Sequence, residues 1–329
     1  MSAAVVADPT GTLTLQIRQI RFEGVGINSY ELTDPAGGEL PAFTAGAHID
    51  VTVGPQLVRQ YSLCNDPGER HRYVIAVLRD EGGRGGSKSL HQNFRVQDLV
   101  RVSMPRNHFE LAPGTRRAIL LAGGIGVTPL KAMAHSLDRA GVPYELHYCS
   151  REPGHAAFRT ELEQLARGGV HHRHHHDRGV PADGLDIAGL LEDVDPGTHL
   201  YYCGPSGFMQ ACAAASAHWP RETVHSEHFK APAPAPGAAA VEPGSFEVQV
   251  ASTGQTVRVA SDRSIVDALA DIGVTIDVSC QSGLCGTCKV RYLEGEVEHN
   301  DFILDDSERS QYLTACVSRA SSEHLVLDL

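Results

Sequence analysis

The segment CQSGLCGTC at residues 280–288 is the most informative stretch of this chain for the fold of its C-terminal part. Its three cysteines, Cys280, Cys285 and Cys288, have the spacing C-x4-C-x2-C, and Cys316 stands alone downstream. Three thiolates on one loop and a fourth from elsewhere in the fold are a ligand set of [2Fe–2S] clusters. Zinc sites usually combine C-x2-C pairs or histidines at finger spacing, and this set fits neither arrangement. The spacing therefore predicts that these four cysteines bind a [2Fe–2S] cluster.

The flanks of this loop predict a small domain of strands around one helix. Ser264–Ile272 is expected to be a helix, with Ser264 as N-cap and Gly273 just past its end. Together with the Cys-Val-Ser-Arg run at 316–319, this order resembles the ferredoxin β-grasp fold of plant-type [2Fe–2S] proteins, over residues 246–329. The expected strands, from alternating apolar residues, are Phe246–Val250, Gln255–Val259, Val290–Leu293 and Leu325–Leu327.

Composition excludes several classes of protein. The 329 residues are long enough for two or three domains, and the formal net charge of −12 argues against nucleic acid as a partner. No run of 18 apolar residues and no charged-then-apolar N-terminal segment is present, so neither a membrane span nor a secretory signal is expected. Eight cysteines without an export signal favour metal or redox chemistry in the reducing cytoplasm, which is the expected location.

A linker is expected at residues 231–245, whose sequence APAPAPGAAAVEPGS has no core-forming pattern. The segment 246–329 that follows holds 14 Asp or Glu and 6 Lys or Arg, a formal charge of −8. An acidic surface of this kind attracts a basic surface on a partner protein. We therefore expect an electron acceptor to dock near the C-terminal domain; a merely solvated charged surface is the alternative.

The middle of the chain predicts a parallel α/β domain that binds a dinucleotide. The apolar run Ala118–Leu121 is followed by AGGIGVTP at 122–129 and then by a helix-like stretch, Leu130–Arg139. A strand, a glycine turn and a helix form the phosphate-binding arrangement of doubly wound folds. A later strand, His199–Cys203, ends in Cys203-Gly204-Pro205, which places a thiol at the ligand-binding edge of the sheet.

These two motifs, about 80 residues apart, resemble the ferredoxin–NADP reductase superfamily. The resemblance implies that Gly123, Gly124 and Gly126 contact the dinucleotide, together with Gly204 and Pro205. It also implies that Thr128 and Cys203 flank the nicotinamide where hydride leaves for a flavin. A buried strand-end thiol is the alternative role for Cys203.

The first 112 residues predict an antiparallel β-barrel that binds a flavin. Short strands alternate with turn-rich connections, and Arg59-Gln-Tyr61-Ser62 lies among them. Arginine can bind phosphate, tyrosine can pack on a flavin ring, and a serine hydroxyl can contact flavin N5. The loop 82–87, GGRGGS, can bind an anion through backbone N–H groups, or it is simply a flexible hairpin loop. The expected strands are Thr12–Ile17, Ser29–Leu32, His48–Val53, Tyr73–Leu78 and Leu99–Met104.

The run Arg84-Gly-Gly-Ser87 resembles the phthalate dioxygenase reductase family, which includes vanillate O-demethylase reductases. That family orders its domains as flavin barrel, nicotinamide domain and C-terminal ferredoxin. The resemblance implies a multidomain chain with boundaries at 1–112, 113–230, 231–245 and 246–329, FMN rather than FAD, and Phe229 beside the flavin ring. It implies a catalytic role for Ser62, Thr128 and Cys203. The implied FMN contacts are Arg59, Tyr61, Ser62, Val77, Arg79, Gly85, Gly86, Ser87 and Thr128.

Two features in the middle domain are ambiguous. The histidine-rich run 171–176 could be a metal tract, but a solvated strand and turn is favoured. Ser150 and Arg151 follow a strand where a 2′-phosphate would lie, which would allow NADPH. Glu152 would repel that phosphate, and the family resemblance implies NADH, so NADH is preferred.

The resemblance implies a reductase that passes electrons from NADH through FMN and the [2Fe–2S] cluster to an oxygenase of the Rieske type. Three alternatives remain open. The acceptor could be a haem-thiolate monooxygenase, the flavin could be FAD, or the chain could be a non-catalytic electron-transfer or redox-sensing subunit.

Overall fold

The computed structural model describes residues 11–55, 57–165, 171–230 and 244–329; of His171 it describes only the backbone. The chain divides into two compact units, Met1–Phe229 and Lys230–Leu329. None of the helices in the described ranges is long and apolar enough to cross a membrane.

The first part of unit 1 is an antiparallel six-stranded sheet in the order β4-β3-β6-β1-β2-β5. Its core is formed by every second side chain of the strands. In β1 the side chains of Leu13, Leu15 and Ile17 point inward and are at most 1% exposed. A bridge between Leu63 and Ile75 links the two edges of the sheet, as the predicted barrel requires. The elements are β1 (Thr12–Gly24), β2 (Ile27–Thr33), β3 (His48–Gly54), β4 (Leu57–Ser62), β5 (Tyr73–Leu78), α1 (Gly86–Asn93) and β6 (Leu99–Ser103).

The second part of unit 1 is a five-stranded parallel sheet in the order β11-β10-β7-β8-β9. Helix α2 packs on one face with Leu120 and Tyr148, and α5 packs on the other with Leu121 and Trp219, which confirms the predicted doubly wound fold. The elements are β7 (Arg117–Gly123), α2 (Val127–Ala140), β8 (Tyr144–Ser150), α3 (Arg159–Leu165), β9 (His171–His176), α4 (Ile187–Leu190), β10 (Thr198–Cys203), α5 (Ser206–Ala215) and β11 (Val224–Glu227).

Unit 2 is a mixed sheet in the order β13-β12-β18-β14-β16, packed against one helix as in a β-grasp fold. The predicted N-cap is confirmed, because the Ser264 hydroxyl accepts a hydrogen bond from the N–H of Asp267. The elements are β12 (Phe246–Val250), β13 (Thr256–Val259), α6 (Ile265–Asp271), β14 (Lys289–Glu294), β15 (Val297–Glu298), α7 (Asp306–Arg309), β16 (Tyr312–Thr314), β17 (Arg319–Ala320) and β18 (His324–Leu327).

Among the short elements absent from the sequence prediction are β4, β11 and α1. Helix α1 begins at Gly86, so the glycine run expected to be a loop leads directly into a helix. The histidine run forms a strand as predicted, but the expectation that it is solvated is wrong. His172, His174 and His175 are only partly exposed, and their rings pack on aromatic side chains of β8.

Most of the expected linker, residues 231–243, lies outside the described residues. The division between the two compact units falls between Phe229 and Lys230. The expected boundary at residue 112 lies inside unit 1 and stays a prediction.

Candidate cofactor and cluster sites

The cysteine loop of unit 2 is shaped to surround a group bound by sulfur. The backbone N–H groups of Ser282 and Leu284 point at the Cys280 sulfur, at 3.4 and 3.3 Å. Gly283 and Gly286 both have positive φ values, of 70° and 69°, which favour glycine. N–H groups aimed at a thiolate stabilise its negative charge, so the loop supplies the hydrogen bonds that cluster sulfurs accept.

All four predicted ligands meet at this loop. Cys280 forms a hydrogen bond with Cys285 that raises the pKa of Cys285, and Cys316 forms one with Cys288 that lowers the pKa of Cys288. Cys316 also interacts with Cys280, which closes the set. Cys285 and Cys288 are each 2% exposed. Four thiols packed together, two of them shielded from water, could ionise together only with a cation among them, because like charges repel.

A two-iron cluster fits this arrangement. Each iron of such a cluster takes two of the four cysteines, with sulfides completing its coordination. Within the described residues, the His, Cys, Asp and Glu side chains form no group of three or more that could hold a metal ion, and the four cysteines are linked by pairwise contacts. The role of the four cysteines as cluster ligands stays a prediction, which this geometry supports.

A buried carboxylate beside the loop was not found from the sequence. The side chain of Asp301 is fully buried, accepts hydrogen bonds from the N–H groups of Ile303 and Leu304, and lies 3.6 Å from the Arg309 guanidinium. Its backbone would lie 3.0 Å from a Cβ at Gly283, so Asp301 holds the segment against which the cluster loop folds. An acidic residue in an acidic domain gives no sequence signal for this role.

In unit 1, one end of the expected flavin site is an anion-binding corner. The Arg59 side chain crosses Gly86, the first residue of α1, where an added Cβ would lie 2.5 Å from its Cγ. Gly85 has φ 89° and caps the helix without a side chain, so the N–H groups of the first turn point outward. An arginine beside a helix N-terminus suits a phosphate, so these residues fit the phosphate of FMN.

Other expected contacts surround this corner. Ser87 accepts a hydrogen bond from the N–H of Asp80 at 3.0 Å. Glu81 forms ion pairs with Arg79 and Lys88, at 2.7 and 3.3 Å, so a carboxylate already lies between two cations there. The side chains of Arg79 and Lys88 therefore lie close enough together to bind one anionic group between them.

The barrel positions Tyr61 and Ser62 at the end of β4. Ser62 is 6% exposed, and Tyr61 packs against the barrel core, where burial raises the pKa of its hydroxyl. Val77 is 1% exposed, and its carbonyl contacts the His91 ring. Tyr61 is thus kept neutral and apolar, as packing on a flavin ring requires.

The two nicotinamide motifs lie against each other at the carboxyl edge of the parallel sheet. A Cβ at Gly126 would overlap the carbonyl of Cys203, and a Cβ at Gly204 would lie 3.0 Å from the Cα of Gly123. Gly124 has φ 54°. Thr128 donates a hydrogen bond to the Ile125 carbonyl in the first turn of α2. The glycines therefore give this edge a surface of bare backbone at a helix N-terminus, which fits a dinucleotide.

Cys203 lies at the same edge but is fully buried. Burial, and then the nearby Glu227 carboxylate, raise the pKa of the Cys203 thiol well above its usual range, so it stays neutral. Phe229 is 38% exposed and Pro205 is also exposed. Contacts of these three residues with a nicotinamide or flavin stay predictions.

Glu227 is the site residue that the predicted set omitted. The Ser62 hydroxyl donates a hydrogen bond to its carboxylate at 3.4 Å, across 165 positions of sequence. Desolvation raises the pKa of Glu227 to about 8, although this hydrogen bond lowers it. A carboxyl group that is protonated near neutral pH can accept or release a proton at Ser62. Its position two residues before the predicted Phe229 was the one available signal.

At the edge where a 2′-phosphate would lie, the Ser150 hydroxyl already has hydrogen-bond partners. The Ser150 hydroxyl hydrogen-bonds with the Glu152 carbonyl at 3.1 Å and with His176 at 2.9 Å. Since this hydroxyl is already engaged, Ser150 is poorly placed to bind phosphate, which favours NADH.

A separate cavity of about 450 Å³ lies between the barrel and helices α2 and α3. Charged side chains line it, including Glu23, Arg72, Lys131 and Glu161. None of the predicted site residues lines this cavity, so it is not the cofactor site.

Comparisons with known proteins agree with both units. Residues 248–321 match the family described as 2Fe-2S iron-sulfur cluster binding domain. The tert-butanol monooxygenase / tert-amyl alcohol desaturase reductase subunit of Aquincola tertiaricarbonis is 52% identical over 329 residues, covering 98% of this chain and 97% of that protein. Vanillate O-demethylase oxidoreductase of Pseudomonas sp. (strain HR199 / DSM 7063) is 44% identical, covering 95% and 98%.

A solved structure covers the same length. The structure of phthalate dioxygenase reductase, described as modular for electron transfer from pyridine nucleotides to [2Fe-2S], superposes with a TM-score of 0.72 at 41% identity. It covers 97% of this chain and 98% of that one, so the match includes both units.

Proposed function

Because the chain belongs to the family of phthalate dioxygenase reductase and vanillate O-demethylase oxidoreductase, we propose that it is the NADH-dependent reductase component of a multicomponent oxygenase. The observation that carries this proposal is one chain with two built sites. The first joins Arg59, Ser62 and Glu227 to the glycine edge, and the second joins the four cysteines.

The chain's own residues have separable tasks. Arg59, Arg79, Gly85, Gly86 and Ser87 hold the phosphate of FMN, while Tyr61, Val77 and Phe229 contact the flavin ring. Gly123, Gly124, Gly126, Gly204 and Pro205 bind NADH, and Thr128 and Cys203 shape the nicotinamide position. When bound, FMN accepts hydride from NADH and releases single electrons, which the cluster carries onward. Ser62 and Glu227 hold a proton beside the position where hydride arrives.

The acceptor is an oxygenase, as in the related reductases, and we place its docking site on unit 2. The formal charge of −8 on residues 246–329 supports this, because an acidic surface steers a basic partner. We propose a Rieske-type oxygenase as this partner. Eight free cysteines agree with a reducing cytoplasm as the place of reaction.

The substitution Cys285→Ser tests the order of electron transfer. It removes a cluster ligand that is 2% exposed, while unit 1 keeps its flavin and nicotinamide sites. We expect NADH-driven reduction of cytochrome c to be abolished and NADH-driven reduction of ferricyanide, which the flavin can perform, to remain. Cys212→Ser, at a buried cysteine within α5 and away from both sites, is the matched control and should change neither rate. Loss of both activities in Cys285→Ser would contradict the sequence NADH, FMN, cluster.

The same assay distinguishes the rival functions. Slow cytochrome c reduction by the unsubstituted, fully loaded protein would indicate a non-catalytic electron-transfer subunit. Reconstitution with a Rieske-type oxygenase and with a haem-thiolate monooxygenase identifies the acceptor class. The mass of the flavin released on denaturation distinguishes FMN from FAD.

A further inference from the structure

We propose that His225 and His199 relay protons between Glu227 and the protein surface, so that the proton left by hydride can leave the flavin site. The inference rests on the proposed function and adds a route to it. It assigns a role to His225 and His199, two histidines that are not among the residues proposed to bind FMN, NADH or the cluster.

Strand pairing places the relay residues on one face of the sheet. Strands β10 and β11 are parallel, with Tyr201 opposite His225 and Cys203 opposite Glu227. Alternate residues of a strand point to the same face, so His225 and Glu227 share a face about 7 Å apart along β11. One water molecule can bridge such a gap between two polar side chains.

The two histidines are already hydrogen-bonded to each other. His199 Nδ1 and His225 Nε2 are 3.0 Å apart, and the rings stack with centroids 5.3 Å apart at 12°. The Tyr201 ring stacks on His225 at 4.6 Å and fixes its orientation. In a neutral imidazole one nitrogen donates and the other accepts, so a hydrogen-bonded pair can take up a proton at one end and release one at the other.

Both ends of this chain of groups have partners suited to proton transfer. At the inner end, Glu227 accepts a hydrogen bond from the Ser62 hydroxyl at 3.4 Å. At the outer end, desolvation lowers the pKa of the partly exposed His199, and the exposed carboxylate of Glu222 opposes this lowering. Desolvation and then His199 lower the pKa of His225 to about 4, so His225 is neutral at pH 7 and one of its ring nitrogens can accept a hydrogen bond.

The stoichiometry of the reaction requires such a route. Oxidation of NADH to NAD⁺ releases two electrons and one proton, which arrive together as hydride. The electrons leave singly through the cluster, and so one proton must leave the site for each NADH. The path through His225 and His199 runs along β11 and β10 and ends at the partly exposed His199.

Infrared spectroscopy of the loaded protein in the absence of NADH tests the relay without turnover. The carboxylic acid band of Glu227, identified by its loss in Glu227→Gln, shifts when the protein is transferred to deuterium oxide. We expect this exchange to be slowed about tenfold or more in His225→Phe, which keeps a ring against Tyr201 but has no nitrogen. His218→Phe, at an exposed histidine outside the relay, is the matched control and should exchange at the unsubstituted rate.

A second measurement follows the proton during reaction. In stopped flow with an acceptor and a pH indicator, we expect proton release to lag behind NADH oxidation in His225→Ala, and added imidazole to remove the lag. His199→Gln, which interrupts the outer link at a partly exposed position, should show the same lag if the inner variants fold poorly. Unchanged carboxyl exchange, together with proton release that keeps pace with NADH oxidation in every variant, would overturn the relay. Failure of the unsubstituted protein to oxidise NADH would instead overturn the proposed function.

Discussion

Gly126 lies where the two motifs of the nicotinamide domain meet. Because a Cβ there would overlap the Cys203 carbonyl, Gly126→Ala must push the strand end and the helix N-terminus apart. We expect a loss of about 1–3 kcal/mol of stability, as for other overpacked sites, measured by urea denaturation. Gly207→Ala is the matched control, because its Cβ would enter open space within α5. It should be neutral or stabilise by about 0.5–1 kcal/mol; equal effects of both substitutions would contradict the close approach.

Glu227 predicts a pH dependence of stability. Its folded pKa, raised to about 8, lies above the ordinary value of 4.5, so the folded state holds a proton that the unfolded state loses. Between about pH 4.5 and 8 the folded state binds more protons, so this group lowers stability as pH rises, and the effect levels off above about pH 8. Glu227→Gln removes this dependence.

Thermal unfolding at several pH values measures the contribution of Glu227 to the pH dependence of stability. The stability of Glu227→Gln relative to the unsubstituted protein should increase from pH 5 to pH 8. Glu110→Gln, at an exposed carboxyl group, should give a constant difference over the same range. A constant difference for Glu227→Gln as well would show that its carboxyl is not held in the neutral form.

At the scale of single elements, α2 is fastened to the barrel by the buried Lys131. The Lys131 ammonium donates to the Cys64 carbonyl at 2.9 Å, pairs with Glu161 at 2.8 Å and lies 4.7 Å from the Phe158 ring centroid. Lys131→Met keeps the length of the side chain but leaves a buried carbonyl without its donor. We expect a loss of about 1–3 kcal/mol in chemical denaturation.

Arg159→Met is the matched control for this charge. Arg159 pairs with Glu163 at 3.7 Å on the surface of α3, where both side chains are about half exposed. A surface pair of this kind contributes about 0–1 kcal/mol. If the two substitutions lower the free energy of unfolding by the same amount, the contacts of Lys131 do not stabilise the packing of α2 on the barrel.

The elements missed from the sequence share a physical cause. β11 has only four residues, His225 and Glu227 among them, and it is a strand because β10 offers an open edge. Helix α1 begins with Gly-Ser, which on propensity alone belongs to a loop. Leu90, on its buried face, packs into the barrel core and decides the helix. Short elements form through tertiary packing, so local sequence carries little signal for them.

At the scale of the whole molecule, the two units have separate hydrophobic cores. The cores of unit 1 are built from residues before position 230, and the core of unit 2 contains Phe246, Leu269 and Leu325. Because each unit buries its own apolar surface, we expect two transitions in calorimetry of the full-length, loaded protein. Cys285→Ser should lower the temperature of one transition and leave the other unchanged. A single transition shifted as a whole would contradict independent units.

The features that depend on spacing along one loop could be predicted from the amino-acid sequence alone. The four cysteines, the positive-φ glycines of the cluster loop, the N-cap at Ser264 and the glycine turn before α2 are local, because their geometry is set by neighbouring residues. Only the tertiary structure brought Ser62 to Glu227 and His199 to His225, pairs that lie 165 and 26 residues apart. Strand order and register create such contacts, and no pattern in the sequence states which two distant strand ends will meet.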